Sequence, residues 1–172
     1  MKVWCSMLKL AYPYKDQLKV KFMETMFNEK YKYYHSSNFC DYELKLSDSS
    51  WTNLDFISVD KHDNILGFLG ATIHRGDDMI TSLQAINFYD LNYAFSKDFH
   101  QFITDLFDKF KFRKMVFNVV IGNPAEKMYD KYIKKYNGRV VGIKIKEVKL
   151  YDGDFYDQKI YEIFRDDYLK AR

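Results

Sequence analysis

The chain has only two cysteines, two prolines and seven glycines among its 172 residues. No apolar run approaches the roughly 20 residues that a membrane-crossing helix needs. Cys5 and Cys40 lie far apart without Cys-x-x-Cys spacing, which points to a reducing compartment. His35, His62, His74 and His100 have no metal-ligand spacing with one another or with the cysteines, so no metal is expected. A P-loop and a G-x-S-x-G nucleophile elbow are both missing. Excess charge is missing too. Lys+Arg 27 against Asp+Glu 24 leaves +3, too little to signal a nucleic-acid partner. The stretch MKVWCSMLKLAYP has Lys9 inside its apolar run and no small-residue cleavage site, so neither export nor a membrane association is expected and the expected location is cytoplasmic.

What is present is a globular composition, 47% hydrophobic and 30% charged, long enough for one domain spanning residues 1–172 with one sizeable core. Aromatics reach 19%, with 15 Tyr and 15 Phe, and lysine outnumbers arginine 22 to 5. That bias suits an AT-rich coding sequence, such as a phage or a low-GC bacterium.

Residues 2–11 read as a strand that ends before Pro13. From Asp16 to about Tyr34, Leu18, Phe22, Met26 and Phe27 recur at helical spacing. A short helix is expected at 42–46 and a loop at 47–50. Residues 56–60 and 65–73 form a hairpin around the polar turn 61–64, a second turn falls at 75–78, and 82–89 is a third strand. Ser96 then reads as a helix cap ahead of the apolar stripe Phe99, Phe102, Ile103, Leu106, Phe107 and Phe110. Residues 115–121 are a buried-type strand, and Pro124 opens a helix that stops at Asn137-Gly138. Strands at 140–150 and 160–164 flank the turn Asp152-Gly153-Asp154. Hairpins interrupted by two crossover helices predict an α/β (α+β) fold: a mixed, mostly antiparallel sheet of six to seven strands with helices on both faces.

This order resembles the GNAT superfamily of acetyl-CoA-dependent N-acetyltransferases, and three segments carry the resemblance. FISVDKHDNILGFLGATI is similar to the family's second hairpin, and VFNVVIGNPAEKMYDKY to its N-x-x-A-x-x-x-Y-x-K strand, loop and helix. DGDFYDQKIYEI resembles the closing tail of the ribosomal-protein-acetylating branch. The resemblance implies acetyl-CoA as cosubstrate, with the strand end Phe88, Tyr89 and Asp90 holding the thioester arm. The family's R/Q-x-x-G-x-G/A signature would cradle the diphosphate on main-chain N–H groups at a helix start, where glycine permits close approach. Here Leu91 takes the Arg/Gln position, Asn92 follows, Ala94 replaces the first glycine and Ser96 the last small residue, with Lys97 as a compensating cation. The structural alternative is that Ala94 and Ser96 merely start a helix.

The same resemblance implies that Asn123 contacts the cosubstrate and that Tyr129 is the general acid for the leaving thiolate. Asn123 stands one residue late, with Gly122 in the family's asparagine slot, while Ala125, Tyr129 and Lys131 keep their relative spacing. The strand SLQAINFYD lacks the usual glutamate base, so Asp90 is the carboxylate available, with Gln84 or Asn87 able to orient a water and a low-pKa amine as another route. Tyr31, Tyr34, Trp51, Asp152 and Phe155 fall in segments that would line the acceptor channel, a set suited to an amine. Two functions follow: an acyl-CoA-dependent N-acyltransferase acting on a primary amine of a small molecule or peptide, as monomer or homodimer, or a catalytically silent GNAT-like module that binds a protein partner.

Overall fold

A computed structural model describes residues 7–35, 44–90 and 92–172. The N-terminal strand expected at 2–11 is described over β1 (Met7–Leu10), and most of the short helix expected at 42–46 lies outside the described residues. Residues 44–46 carry no regular structure, and bends and turns follow as far as Thr52.

The long helix expected from Asp16 is broken in two. Helix α1 (Lys15–Met23) buries Leu18 and Phe22, then gives way to a turn with Phe27 at φ 53° and a 3-10 helix, Glu29–His35. Thr25 Oγ1 donates to the Phe22 carbonyl at 2.6 Å, a side-chain bond that competes with the helical ladder. Past the break Tyr31 is buried, so tertiary packing overrides the local period.

Strands β2 (Asn53–Val59), β3 (Ile65–His74) and β4 (Met79–Asn87) form the expected meander. Helix α2 (Tyr93–Asp108) begins three residues before the expected Ser96 cap. The cap is Asn92, whose side-chain oxygen accepts from the Phe95 N–H at 3.0 Å, while the Ser96 hydroxyl turns back to the Asn92 carbonyl. The stripe from Phe99 to Phe107 is buried, but Phe110 lies past the helix end and is partly exposed.

Strand β5 (Lys114–Val120) leads to α3 (Glu126–Lys135), which ends as read: Asn137 adopts φ 52° and the Gly138 N–H returns to the Ile133 carbonyl at 2.9 Å. Strands β6 (Arg139–Lys149) and β7 (Phe155–Phe164) close the sheet. A final helix, α4 (Arg165–Lys170), was not anticipated, and its buried Tyr168 stacks on Phe107 at 4.7 Å.

The sheet order is β1-β2-β3-β4-β5-β7-β6, antiparallel throughout except for β4 and β5. One apolar cluster joins α2, α3 and α4 to one face, through Phe99, Phe102, Tyr129, Ile133 and Tyr168 against Leu69, Phe117 and Tyr161. A second joins α1 and the 3-10 helix to Ile57, Val59, Phe68 and Ile86, which alternate with the first set and so point to the opposite face. The mixed sheet with helices on both faces is thus as expected. The strand pair β4–β5 matters most for function. Met79↔Lys114 and Ile80↔Met115 pair in parallel, and after these two positions the strands part.

Candidate active site

A cavity of about 380 Å³ fills the gap between the parted strands. Residues 82–86 of β4 and 118–120 of β5 form its sides, and Phe95, Phe99 and Tyr129 reach it from α2 and α3. Tyr33, Tyr34 and Lys45 close it from the opposite side.

The edge that β4 offers to this gap follows from its register. The Phe88 N–H donates to the Leu66 carbonyl at 3.1 Å, so in an antiparallel ladder residues 86, 84 and 82 bond to β3 as well. The intervening residues 83, 85 and 87 then turn their N–H and C=O groups toward the gap. Asn87 bears this out, because its main chain hydrogen-bonds the Tyr34 hydroxyl. Burial pushes the Tyr34 hydroxyl up, and this bond opposes the shift.

Tyr129 is the phenol held deepest against the β5 side. It is buried, packs edge-on against Phe117 at 5.1 Å and lies 6.2 Å from both Phe99 and Tyr161. Burial, then the neighbouring Tyr34 and Tyr161 hydroxyls, push its pKa well above the usual phenol value, so it stays protonated at any working pH. Asn123 also lines the cavity, although its side-chain oxygen already accepts from the Ala125 N–H at 2.9 Å. Gly122 adopts φ +97°, where a side chain is strained, and an added Cβ would stand 3.1 Å from the Tyr33 hydroxyl. That geometry accounts for a glycine in the slot where asparagine was expected.

Several expected site residues lie elsewhere. Asp90, expected as a base, is exposed, ion-paired with Lys30 at 2.9 Å and outside the cavity lining. The Phe88 carbonyl accepts from the Tyr31 hydroxyl at 3.0 Å and the Tyr89 N–H donates to Asn87 Oδ1, so both main-chain groups are already engaged. Tyr31 is therefore a structural anchor, whereas Tyr34 lines the cavity. Trp51 stacks with Arg75 at the sheet end where β4 begins, opposite the gap. Asp152 accepts from Lys32 and from Tyr156, both at 2.6 Å, and these hold its carboxyl down at about 2. Phe155 is exposed beneath Lys149. Lys97 lines a separate groove beside β1, so it is no companion to Ser96, which does line the cavity. Ala94 is buried, and Leu91 lies outside the described residues.

Among the residues that sequence reasoning missed are Leu83, Ala85, Phe95, Asn118 and Gln158. One signal was available: a Cβ on Gly67 would meet the Phe95 ring at 2.3 Å, so the Gly67-Phe68 pair marks where α2 presses onto β3.

No family model matches the sequence, and no curated protein sequence matches it. Solved structures do. The spermidine N-acetyltransferase of Vibrio cholerae, in complex with CoA and spermine, superposes with a TM-score of 0.72 at 15% identity, over 95% of this chain and 98% of that one. A GCN5-related N-acetyltransferase of Brucella melitensis gives 0.70 at 14% identity, covering 99% and 80%. The Vibrio cholerae enzyme in complex with manganese gives 0.68 at 17%, covering 96% and 95%. The fold is the GNAT fold.

On a GNAT fold an acyl-CoA would lay its thioester arm between strands parted like β4 and β5 and its diphosphate at the start of a helix placed like α2. The groove fits the arm, since residues 83 and 85 present main-chain groups along its wall. The diphosphate end fits less well, because Asn92 already occupies the Phe95 N–H and no glycine opens the turn. Among the described residues, no helix is long and apolar enough to cross a membrane.

Proposed function

We propose that the chain is an acyl-CoA-dependent N-acyltransferase that moves an acetyl group from acetyl-CoA to a primary amine by direct attack in a ternary complex. The observation that carries this reading is Tyr129, a protonated phenol facing the cavity where the β4 and β5 strands part. Bound acetyl-CoA supplies an activated thioester. Leu83 and Ala85 would pair their main-chain groups with the amides of its arm, and Ser96 and Asn123 would stand nearest its diphosphate end. Tyr34 and Tyr33 would bound the acceptor side.

As the amine nitrogen bonds to the acyl carbon, the carbon–sulfur bond breaks and the Tyr129 hydroxyl gives its proton to the departing sulfur. The proton lost by nitrogen returns to the phenol through water. A high phenol pKa does not prevent this, because the same burial raises the basicity of a thiolate formed beside it. No carboxylate lines the cavity among the described residues, so Gln84 orients a water or the amine arrives neutral. The tail at residues 152–163 resembles that of the branch that acetylates ribosomal proteins, which would make a peptide amine a candidate acceptor. The working unit is a single domain in the cytoplasm, as monomer or homodimer.

A second reading has one observation behind it. The Asn92 carboxamide already takes the Phe95 N–H, one of the α2-start donors that a diphosphate would use, which favours a silent GNAT-like binding module. Thiol release from acetyl-CoA across an amine panel separates the two. Turnover that falls at least tenfold in Tyr129→Phe, with acetyl-CoA affinity kept, supports the enzyme; turnover unchanged in that variant removes Tyr129 from the mechanism.

A further inference from the structure

Four polar side chains meet on one face of the sheet where β4 and β5 part. Ile86 belongs to the apolar cluster under α1 and the 3-10 helix, so strand alternation turns Gln84 and Ser82 to that same face. Phe117 and Tyr161 point the other way, toward α2 and α3, so Asn118 and Gln158 share the face of Gln84. Asn118 pairs with Ile160 across β5 and β7, which makes Gln158 its diagonal neighbour at roughly 7–8 Å. Carrying the Met79↔Lys114 and Ile80↔Met115 offset forward sets Leu83 level with Asn118. Ser82 and Gln84 therefore bracket Asn118 from across the gap.

All four line the cavity, and so does Tyr33. Among the described residues, neither the three carboxamides nor the Ser82 and Tyr33 hydroxyls have a protein hydrogen-bond partner. Each carboxamide offers two donors and an acceptor oxygen, and each hydroxyl donates and accepts. An ammonium group only donates, so it would use the carbonyl oxygens and leave the carboxamide N–H groups unmatched. An extended peptide would pair best with a strand edge, and the β4 edge faces the acyl-CoA arm. Hydroxyl groups donate and accept at once, so they match both halves of a carboxamide. The cavity of about 380 Å³ must also hold the end of the arm, which leaves room for a compact acceptor and not for an extended one.

Resting on the acyltransferase reading, we infer that the acceptor is an amino sugar, a compact polyhydroxylated ring carrying one primary amine. Asn118 and Gln158 hold its hydroxyls on the β5 side, Ser82 holds one on the β4 side, and the Tyr33 hydroxyl completes the set. The amine stands beside Gln84 and points through the gap toward Tyr129. Its nitrogen takes the acetyl group, CoA leaves as the thiol, and the hydroxyls form no covalent bond. A site built to bond hydroxyls rejects an analogue that lacks them, because its own polar groups then go unpaired.

The test measures acetyl transfer from acetyl-CoA by the intact chain to glucosamine, galactosamine, cyclohexylamine, glycylglycine and spermidine. Cyclohexylamine keeps a six-membered ring and the amine but has no hydroxyl. One of the two sugars should give the highest kcat/KM of the panel. Because these amines differ in basicity, the sharper readout is the sugar-to-cyclohexylamine ratio in Asn118→Leu and in Gln158→Met, which remove a carboxamide at nearly constant size. Each variant should lower that ratio roughly threefold to tenfold, with acetyl-CoA affinity kept. Calorimetric titration of the sugars into the CoA complex reads the same loss without turnover. Thermal melting shows which variant folds; one suffices, and if neither folds the wild-type ranking decides. A ratio and a sugar affinity unchanged in a folded variant overturn the inference. So does any of the other three amines preferred over both sugars, and so does acetyl-CoA bound with neither sugar bound or acetylated. Failure of acetyl-CoA itself to bind overturns the acyltransferase reading instead.

Discussion

The Tyr31 hydroxyl donates to the Phe88 main-chain carbonyl at 3.0 Å, tying the 3-10 helix to the end of β4 across 57 residues of sequence. Tyr31 is buried, and its ring lies 5.7 Å from that of Tyr34, which lines the cavity. The bond thus holds one wall of the cleft against the strand that forms another. Tyr31→Phe should cost about 1 kcal/mol, since it leaves a partly buried carbonyl without its donor. Thermal melting should drop by about 2–4 °C, and KM for the acceptor should rise more than KM for acetyl-CoA. Equal changes in the two KM values would mean that the wall does not act on the acceptor side.

Gly67 and Phe95 make the second prediction. A Cβ at Gly67 would fall 2.3 Å from the Phe95 ring and 2.6 Å from the Ile86 carbonyl. The carbonyl cannot give way, so Gly67→Ala must shift β3, β4 or the start of α2. We expect destabilisation of about 1–3 kcal/mol by overpacking, together with weaker acetyl-CoA binding, because Phe95 and Ile86 line the cavity. Denaturant unfolding and a calorimetric titration check the two effects separately.

The buried Ser58 hydroxyl donates to Asp98 Oδ2 at 2.6 Å, linking β2 to α2 beneath the sheet. Ser58→Ala removes a donor from a carboxylate that is only 5% exposed, so a loss of about 1–3 kcal/mol is expected. Activity measured well below the melting temperature should stay close to wild type, because neither residue lines the cleft. A variant that melts like wild type would show the bond to be dispensable.

Glu162 is buried between Lys114 and Arg139. Burial alone would push its carboxyl up, but the two cations outweigh that and hold it below the usual carboxylate range. Its folded pKa is depressed, so the stability it contributes is present above pH 4.5 and is lost as pH falls through the lowered folded value. Melting temperature followed from pH 6 to pH 3 should fall for wild type below about 4.5, and less steeply for Glu162→Gln, which should start lower at pH 7. Parallel curves would exclude Glu162 as a source of the acid limb.

Much of the fold was legible because its signals are local. The Asn137-Gly138 stop, the hairpin around residues 61–64 and the stripe from Phe99 to Phe107 each depend on neighbours in sequence. Ser96 and Asn92 show the limit: both are good caps, and only the fit of α2 against β3 and β4 selects Asn92. The helix break near Phe27 was hidden for the same reason, since burial of Tyr31 decides it. Tyr129 and Asn123 reach the cavity because α3 follows β5 directly, so one segment carries both. Asp90, Trp51 and Asp152 lie outside the cavity lining because a residue's electrostatic partner can come from anywhere in the chain. Lys30, Arg75 and Lys32 took those roles, and nothing in the local sequence announces them.

The parted β4 and β5 strands with Tyr129 between them form the proposed acetyl-CoA site, and titration with acetyl-CoA tests it most directly. Saturable binding at one site per chain is expected. Acetyl-CoA at 100 times its dissociation constant should stabilise the fold by about 2.7 kcal/mol and raise the melting temperature by roughly 5–10 °C, in wild type and in Tyr129→Phe alike. A folded protein that shows neither binding heat nor a thermal shift with millimolar acetyl-CoA would contradict it.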